Sequence, residues 1–341
     1  MDEKKRVLVA LSGGVDSSAA AVLLQKAGYS CDGAVLELCG KENISGAKSV
    51  ASLLNMNFFV FPEQKCFQDN VVSPFITEYC SGHTPNPCVF CNKALKFGAF
   101  SDRALAMGYD YIATGHYARI DCVDGVFRLL RAADKKKDQT YFLYQLNQKQ
   151  LAHLLLPIGN FEKSDIRALA AEAGLPSADR SDSQDICFIP DGDYVEFLKR
   201  QGAELVPGDF VDENGNALGQ HRGLPCYTIG QGKGLGIALG KHVYVLAKDA
   251  RNNTVTLGDD AALYRTSLTA RSVNWIMGVP GGPFRCHAKT RYSQTESACT
   301  ATPLGDDQLR VDFDEPQRAI TPGQAVVLYD GDVVLGGGTI E

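Results

Sequence analysis

Nowhere in the 341 residues does an apolar run approach the roughly 20 residues that a membrane span requires. Internal repeats and low-complexity tracts are lacking too. The start is charged (Asp2, Glu3, Lys4, Lys5, Arg6), and the apolar run Val7–Leu11 is too short for the core of a secretory signal. These absences predict a cytoplasmic protein with no membrane partner. An excess of basic charge is missing as well: 34 Lys and Arg stand against 40 Asp and Glu, a net charge of −6. Any nucleic acid must then be held by local basic patches, in a salt-sensitive way, and not by the field of the whole chain. Disorder is excluded by a hydrophobic content of 45%. The length allows two or three domains. Cysteine is the residue not in short supply. Eleven of them, an odd number, occur without an export signal, where thiols serve as small hydrophobes, metal ligands or reactive groups more often than as disulfides.

The first half alternates strand and helix. Arg6–Leu11 reads as a short apolar strand, Ser18–Ala27 as a helix stopped by Gly28, Cys31–Leu38 as a strand, and Ala47–Met56 as a helix. Asn57–Phe61 is a further strand, Asp69–Tyr79 and Asn92–Met107 are helical, and Asp110–Thr114 is a buried strand. This order implies an α/β fold whose N-terminal part is a doubly wound parallel sheet covered on both faces. From about Glu204 the period becomes two, with turn signals at Asn214-Gly215, Asn252-Asn253, Pro280-Gly281-Gly282-Pro283 and Asp330-Gly331. These shifts place one domain boundary near residue 200 and a softer one near 265, with Leu268 to the C-terminus strand-like throughout.

Three motifs carry chemistry. Ser12-Gly13-Gly14-Val15-Asp16-Ser17 lies between a strand and a helix, where glycines permit close backbone approach and hydroxyls and helix N–H groups donate to a phosphate. The Gly-Lys-Ser/Thr ending of a Walker A loop is absent. The string instead resembles the loop of ATP pyrophosphatases, which split ATP between the α and β phosphates and adenylate a substrate, with Mg²⁺ offsetting phosphate charge. Thr84-Pro85-Asn86-Pro87-Cys88-Val89-Phe90-Cys91-Asn92-Lys93 places a Cys-x-x-Cys at the entry to the helix expected near Asn92. A helix N-terminus with Lys93 and Lys96 nearby predicts lowered thiol pKa values. Cys187 stands between the polar stretch from Ser181 and the apolar run Phe188-Ile189, and read alone it is a core cysteine.

Four further strings follow in order: Ala113-Thr114-Gly115-His116-Tyr117, Lys137–Leu143, the glycine-rich Tyr227–Gly236, and Lys289-Thr290-Arg291-Tyr292. With the three motifs they make the chain similar, from about residue 6 to the C-terminus, to the bacterial tRNA-specific 2-thiouridylase family. The resemblance implies a nucleotide-binding catalytic domain over residues 1–200, a small β-rich connector over 201–265 and a tRNA-contacting C-terminal β-barrel over 266–341. It implies that ATP lies against Ala10, Leu11, Ser12, Gly13, Gly14, Val15, Asp16 and Ser17, with its adenosine end near Leu36 and Gly115. It implies a wobble uridine of tRNA entering beside Asn86, Pro87 and Cys88, and RNA contacts at Lys137, Asp138, Gln139, Arg291 and Tyr292. By composition, Lys135-Lys136-Lys137 is a solvated loop and Gly230–Gly236 a hinge. The family's chemistry is adenylation of the uridine C2 oxygen followed by sulfur transfer. Cys187 matches the persulfide carrier, loaded by a sulfur-relay protein. Cys91 matches the partner thiol, which frees hydrosulfide or closes a Cys91–Cys187 disulfide.

One departure bears on the sulfur step. Familiar members carry Asp where this chain has Cys88, so three thiols (Cys88, Cys91, Cys187) become candidate ligands of a [4Fe–4S] cluster whose open iron would take free sulfide. The segment Gly40–Lys48 is also shorter than the family's acidic insertion. Two other functions are compatible with the residues: an adenylating ligase of small molecules on the same loop, which needs no paired thiols, and a non-catalytic RNA-binding redox or iron–sulfur module.

Overall fold

A computed structural model of the chain describes residues 4–40, 42–176, 186–305 and 307–341. Strands β1 (Arg6–Ala10), β2 (Ser30–Glu37), β3 (Phe58–Pro62) and β4 (Tyr111–Ala113) are followed by a hairpin, β5 (Ala118–Val123) and β6 (Val126–Arg131), and by the short β7 (Leu154–Leu155). All but the hairpin form one parallel sheet in the order β3-β2-β1-β4-β7. The chain leaves β1 in one direction and returns to its other side at β4. This reversal opens a crevice beyond the carboxyl end of β1, the usual ligand position in such sheets.

Side-chain alternation along β1 supplies both faces of the sheet. Val7 and Val9 pack with helix α1 (Val15–Lys26), helix α2 (Ile44–Leu53) and, through Ile166 and Ala170, the later helix Lys163–Glu172. Leu8 turns the other way, to Phe97, Phe100 and Ala104 of a helical run that begins with α3 (Pro87–Cys91). That run widens to π-helical turns over Asn92–Ala99 before closing as Phe100–Ala106. Asn86 caps it by accepting the Cys88 N–H at 3.1 Å, and Pro87, with its fixed φ, takes the first helical position. The helix thus starts at Pro87 and not near Asn92, which puts Cys88 in the first turn and Cys91 a full turn further on.

The connector is a four-stranded sheet of β8 (Gly208–Val211), β9 (Ala217–His221), β10 (Tyr244–Asp249) and β11 (Thr254–Gly258), in the order β10-β11-β8-β9. Its core is built on Phe210, Tyr227, Val245 and Val255. Then come β12 (Tyr264–Trp275), β13 (Phe284–Lys289), β14 (Ser297–Pro303), β15 (Gln308–Arg318), β16 (Ala325–Asp330) and β17 (Val333–Ile340). They form a six-strand barrel that closes where β12 pairs with β17. The parallel sheet expected from the periodicities, and the connector and barrel that the resemblance implied, are present.

The hairpin is a feature the periodicities do not announce. Asp124 and Gly125, both at positive φ (51° and 80°), turn it. Its β6 then pairs antiparallel with β17, Leu130 opposite Val333 and Leu129 opposite Val334. One apolar cluster accordingly joins Leu8, Phe97 and Tyr141 to Ile276, Val327, Tyr329 and Val334 of the barrel. Among the described residues no helix is long and apolar enough to cross a membrane.

Candidate active site

The phosphate loop follows β1 directly. Ser12 Oγ lies 3.1 Å from Ser17 Oγ, Ser17 Oγ donates to the Gly14 carbonyl at 3.2 Å, and Ser18 Oγ donates to the same carbonyl at 2.7 Å. Gly14 caps α1 without a side chain, so the first N–H groups of a twelve-residue helix face the crevice uncapped. Gly13 sits at φ 71°, and a Cβ there would meet Asn43 Nδ2 at 2.3 Å. Gly115 presses on the loop from β4: a Cβ on it would lie 2.6 Å from both Asp16 C and Ser17 N. Asp16 is clamped by Lys163, whose Nζ reaches its two oxygens at 2.7 and 2.8 Å, and by the Tyr117 hydroxyl at 2.9 Å. A separation of 147 residues hides the lysine clamp from sequence reading.

The thiols gather one layer away. Cys91 is buried in an apolar cluster with Phe75, Leu95, Phe188, Ile189 and Leu198, while Cys39, Cys66 and Ile186 pack at its edge. Cys88 and Cys187 are exposed, and Cys91 lies within electrostatic reach of Cys66, Cys88 and Cys187. Burial pushes the Cys91 thiol up to about 11, against the pull of Lys96. Although both residues are exposed, the protein crowded around their sulfurs raises Cys88 and Cys187 too, with Lys96 again opposing. The expected lowering of these thiols is therefore reversed: loss of solvent around the sulfur outweighs the lysine. Lys96, carried on the π-helical turns, also faces His116, whose imidazole burial holds well below its usual pKa and which bonds Thr114 Oγ1 at 2.7 Å. The π-helical turns bring Phe97, next to Lys96, against His116 with ring centroids 5.6 Å apart. Among the described residues no three His, Cys, Asp or Glu side chains form a group able to hold a metal ion.

Comparison with known proteins agrees with this geometry. The chain matches the tRNA methyl transferase HUP domain over residues 5–191, the tRNA methyl transferase PRC-barrel domain over 195–259, and the aminomethyltransferase beta-barrel domain over 265–340. It is 48% identical to the tRNA-specific 2-thiouridylase MnmA of Symbiobacterium thermophilum, covering 99% of this chain and 92% of that one. It is 47% identical to the MnmA of Acetivibrio thermocellus over 99% of both chains. The chain belongs to the tRNA-specific 2-thiouridylase family. Among solved structures, a 4-thiouridine synthetase–RNA complex with bound ATP is similar at 16% identity, with a TM-score of 0.40 over 58% of this chain and 50% of that one.

Set against the 2-thiouridylase family, the remaining sequence candidates divide. Ala10, Leu11 and Leu36 line the strand ends beside the phosphate loop. Asn86 and Pro87 are the cap and first residue of α3, on a segment pinned to the barrel by Thr84 N–H donating to the Pro322 carbonyl at 2.9 Å. Asp138 is buried and accepts the Ala132 N–H at 3.0 Å and the Thr140 hydroxyl at 2.6 Å, while Gln139 accepts the Tyr117 N–H at 2.9 Å. Both thus brace the hairpin's return, next to a half-buried Lys137. Arg291 donates to the carbonyls of Ile229 (3.1 Å) and Ala319 (2.8 Å) and to Thr321 Oγ1 (2.6 Å), which ties the glycine-rich connector loop to the barrel. Tyr292 is exposed and lies on Phe142 with ring centroids 4.5 Å apart. Of the Ser181–Pro190 motif, Ser181–Asp185 lies outside the described residues. Of the eight other cysteines, four are buried and two half-buried, while Cys80 and Cys122 are exposed. Lys163 is a site residue that the motifs did not single out.

Proposed function

We propose that this member of the 2-thiouridylase family thiolates C2 of the wobble uridine of tRNA, using ATP. The uncapped α1 and the Ser12–Ser17 loop would hold the ATP phosphates, with Mg²⁺ entering on the nucleotide and held by phosphates and water rather than by a protein cage. The uridine O2 attacks the α-phosphate and pyrophosphate leaves. The O2-adenylated base is then open to sulfur at C2. Cys187 carries the sulfur as a persulfide accepted from a donor protein. Attack of the Cys91 thiolate on the inner sulfur forms the Cys91–Cys187 disulfide and releases hydrosulfide. Hydrosulfide adds at C2, AMP departs with the former O2, and an external thiol reduces the disulfide.

The observation that carries this reading is the convergence of Cys91 and the Cys187 segment in one cluster, on a helical run whose Phe97 packs against His116, next to the Gly115 that presses on the phosphate loop. The resting thiols are held protonated, a state suited to waiting for sulfur rather than reacting indiscriminately. A [4Fe–4S] cluster on Cys88, Cys91 and Cys187, taking free sulfide on its open iron, would be another use of the same three thiols; iron and sulfide analysis after anaerobic purification separates the two, and a colourless, fully active enzyme that tolerates Cys88→Ser would exclude the cluster.

The test is mass spectrometry of nucleosides after incubating the enzyme with tRNA, ATP, Mg²⁺ and a persulfide donor. Wild type is expected to form 2-thiouridine, and Cys187→Ser and Cys91→Ala to release pyrophosphate with RNA but form none. ATP turnover by wild type that yields no thiouridine and is unchanged in Cys91→Ala would instead favour the small-molecule ligase. No ATP turnover with any tRNA would favour the non-catalytic module.

A further inference from the structure

The chemistry above leaves one carboxylate at the thiol pocket without work. Glu42 lies just beyond β2, next to Asn43, whose amide caps α2 and reaches the Gly13 carbonyl of the phosphate loop at 3.4 Å. Glu42 Oε1 is fully engaged: it accepts the Leu38 N–H at 2.8 Å, the Cys39 N–H at 2.7 Å and the Cys39 thiol at 3.4 Å. Its second oxygen, Oε2, is buried and has no hydrogen-bond partner among the described residues. A buried acceptor left empty is costly, and native structures retain few of them without a use. Burial works to raise the pKa of Glu42, but the Cys39 and Leu38 amides outweigh it, so the group is ionised at neutral pH. Leu38 and Cys39, which Glu42 holds, pack against the same apolar cluster as Ile186 and Phe188, the two neighbours of Cys187, so Glu42 lies at the rim of the pocket that holds the sulfur carrier.

The base must present C2 to that sulfur. In uridine, N3 is bonded to C2 and carries a hydrogen, so an acceptor beside Cys187 stands one bond from the reacting carbon. Adenylating O2 converts the N3–H lactam to an O-substituted lactim, and the N3 proton has to leave.

We infer that Glu42 Oε2 accepts the N3–H of the target uridine and acts as the base of the adenylation step, a reading that rests on the function proposed above. The steps balance. As the O2–phosphorus bond forms and the bond to pyrophosphate breaks, the N3 proton passes to Oε2. When hydrosulfide adds at C2 and the C2–O2 bond to AMP breaks, Oε2 returns a proton to N3. The S–H proton is released to solvent as C2=S forms. The same oxygen selects the pyrimidine, because cytidine offers a lone pair at N3 and would face the carboxylate with no hydrogen between them. Glu42 is thus both a catalytic and a specificity-determining residue. Through Asn43 it sits on the segment that senses the phosphate loop.

The test pairs Glu42→Gln and Glu42→Ala with anticodon stem–loops carrying wobble uridine or N3-methyluridine, read as pyrophosphate release and as thiolated nucleoside. For uridine, both variants should lose about 10²–10⁴-fold in kcat, the usual worth of a positioned base. N3-methyluridine, with no proton to give up, should stay inert with wild type and both variants, and the uridine rate of Glu42→Ala relative to wild type should recover as pH rises and N3–H ionises unaided, which general damage to the fold would not produce. Melting and ATP binding close to wild type certify the variants. Variants within twofold of wild type, or a loss relative to wild type that rising pH does not repair, overturn the inference. Failure of the functional reading looks different: wild type itself would form no thiouridine, or Cys187→Ser would remain active.

Discussion

Replacing Gly115 by alanine tests whether the β4 edge sets the position of the phosphate loop. Gly115 has no unusual backbone angle, so the effect of the methyl is steric alone. Its Cβ would stand 2.6 Å from Asp16 C and Ser17 N, whereas ordinary contact begins at 3.4 Å. About 0.8 Å must therefore be found by backbone on one side or the other. Neither side yields readily. The buried Ala19, Ala20 and Ala21 fix α1, and Lys163 and Tyr117 fix Asp16. Overpacking of this kind costs about 1–3 kcal/mol. What is not lost as stability appears as displacement of Ser17 N–H, one of the donors expected to face the phosphates. A shift approaching 1 Å at such a group costs about 10²-fold in rate. Gly115→Ala should lower kcat/KM for ATP by about that factor in a pyrophosphate-release assay, with a melting temperature a few degrees lower. Gly28→Ala is the control: nothing lies within 4 Å, but φ is 90°, so about 1 kcal/mol of strain should appear with catalysis intact. Thiolation by Gly115→Ala within twofold of wild type would refute the argument that this glycine is the spacer.

Other expectations follow from the contacts that hold the three units together. Arg291→Met should cost about 1.5–3 kcal/mol in urea denaturation and speed proteolysis around Ile229–Gly236; an unchanged digestion pattern would dissociate that arginine from the connector loop. Burial lowers Lys248 to about 8, and its Nζ donates to the Tyr227 carbonyl at 2.8 Å. Because the unfolded lysine titrates near 10.4, the folded state pays its full penalty below about 8 and is relieved of it as pH rises toward 10. Wild type should accordingly gain stability relative to Lys248→Met across that window, and a flat difference would count against the burial account. Asp332 accepts from Arg119 at 2.7 Å and Lys135 at 2.5 Å on the exposed rim of the hairpin. Asp332→Ala should cost under about 1 kcal/mol and be masked by salt; a larger, salt-insensitive loss would mean that this pair anchors the hairpin.

Much of the architecture was legible because it is written locally. Val7 to Val9, the glycine loop and the helix behind it lie within twenty residues, and hydrophobic period alone separates the parallel sheet from the later strands. The hairpin was missed although Asp124-Gly125 is a strong turn signal, because its partner β17 lies some two hundred residues away and local pattern does not say which sheet a strand joins. The same separation hid Lys163 behind Asp16. The thiols illustrate a different limit. Helix position and nearby lysines are readable and argue for reactive, low-pKa cysteines, but the sign is set by burial among Phe75, Phe188 and Leu95, which only packing reveals. Asp138 and Arg291 are likewise engaged in internal bonds that a motif match does not foresee.

The pairing of β6 with β17 also bears on how such a chain can be dismantled or recombined. A barrel cut away near residue 264 would expose the β17 edge that β6 covers, and the remaining catalytic unit would carry a dangling hairpin with apolar Leu129 uncovered. The barrel is therefore not a portable RNA-binding cassette. An exchange between relatives that respects the three units in sequence would still break one continuous sheet, whereas a graft that carries the hairpin along with its barrel would keep it whole.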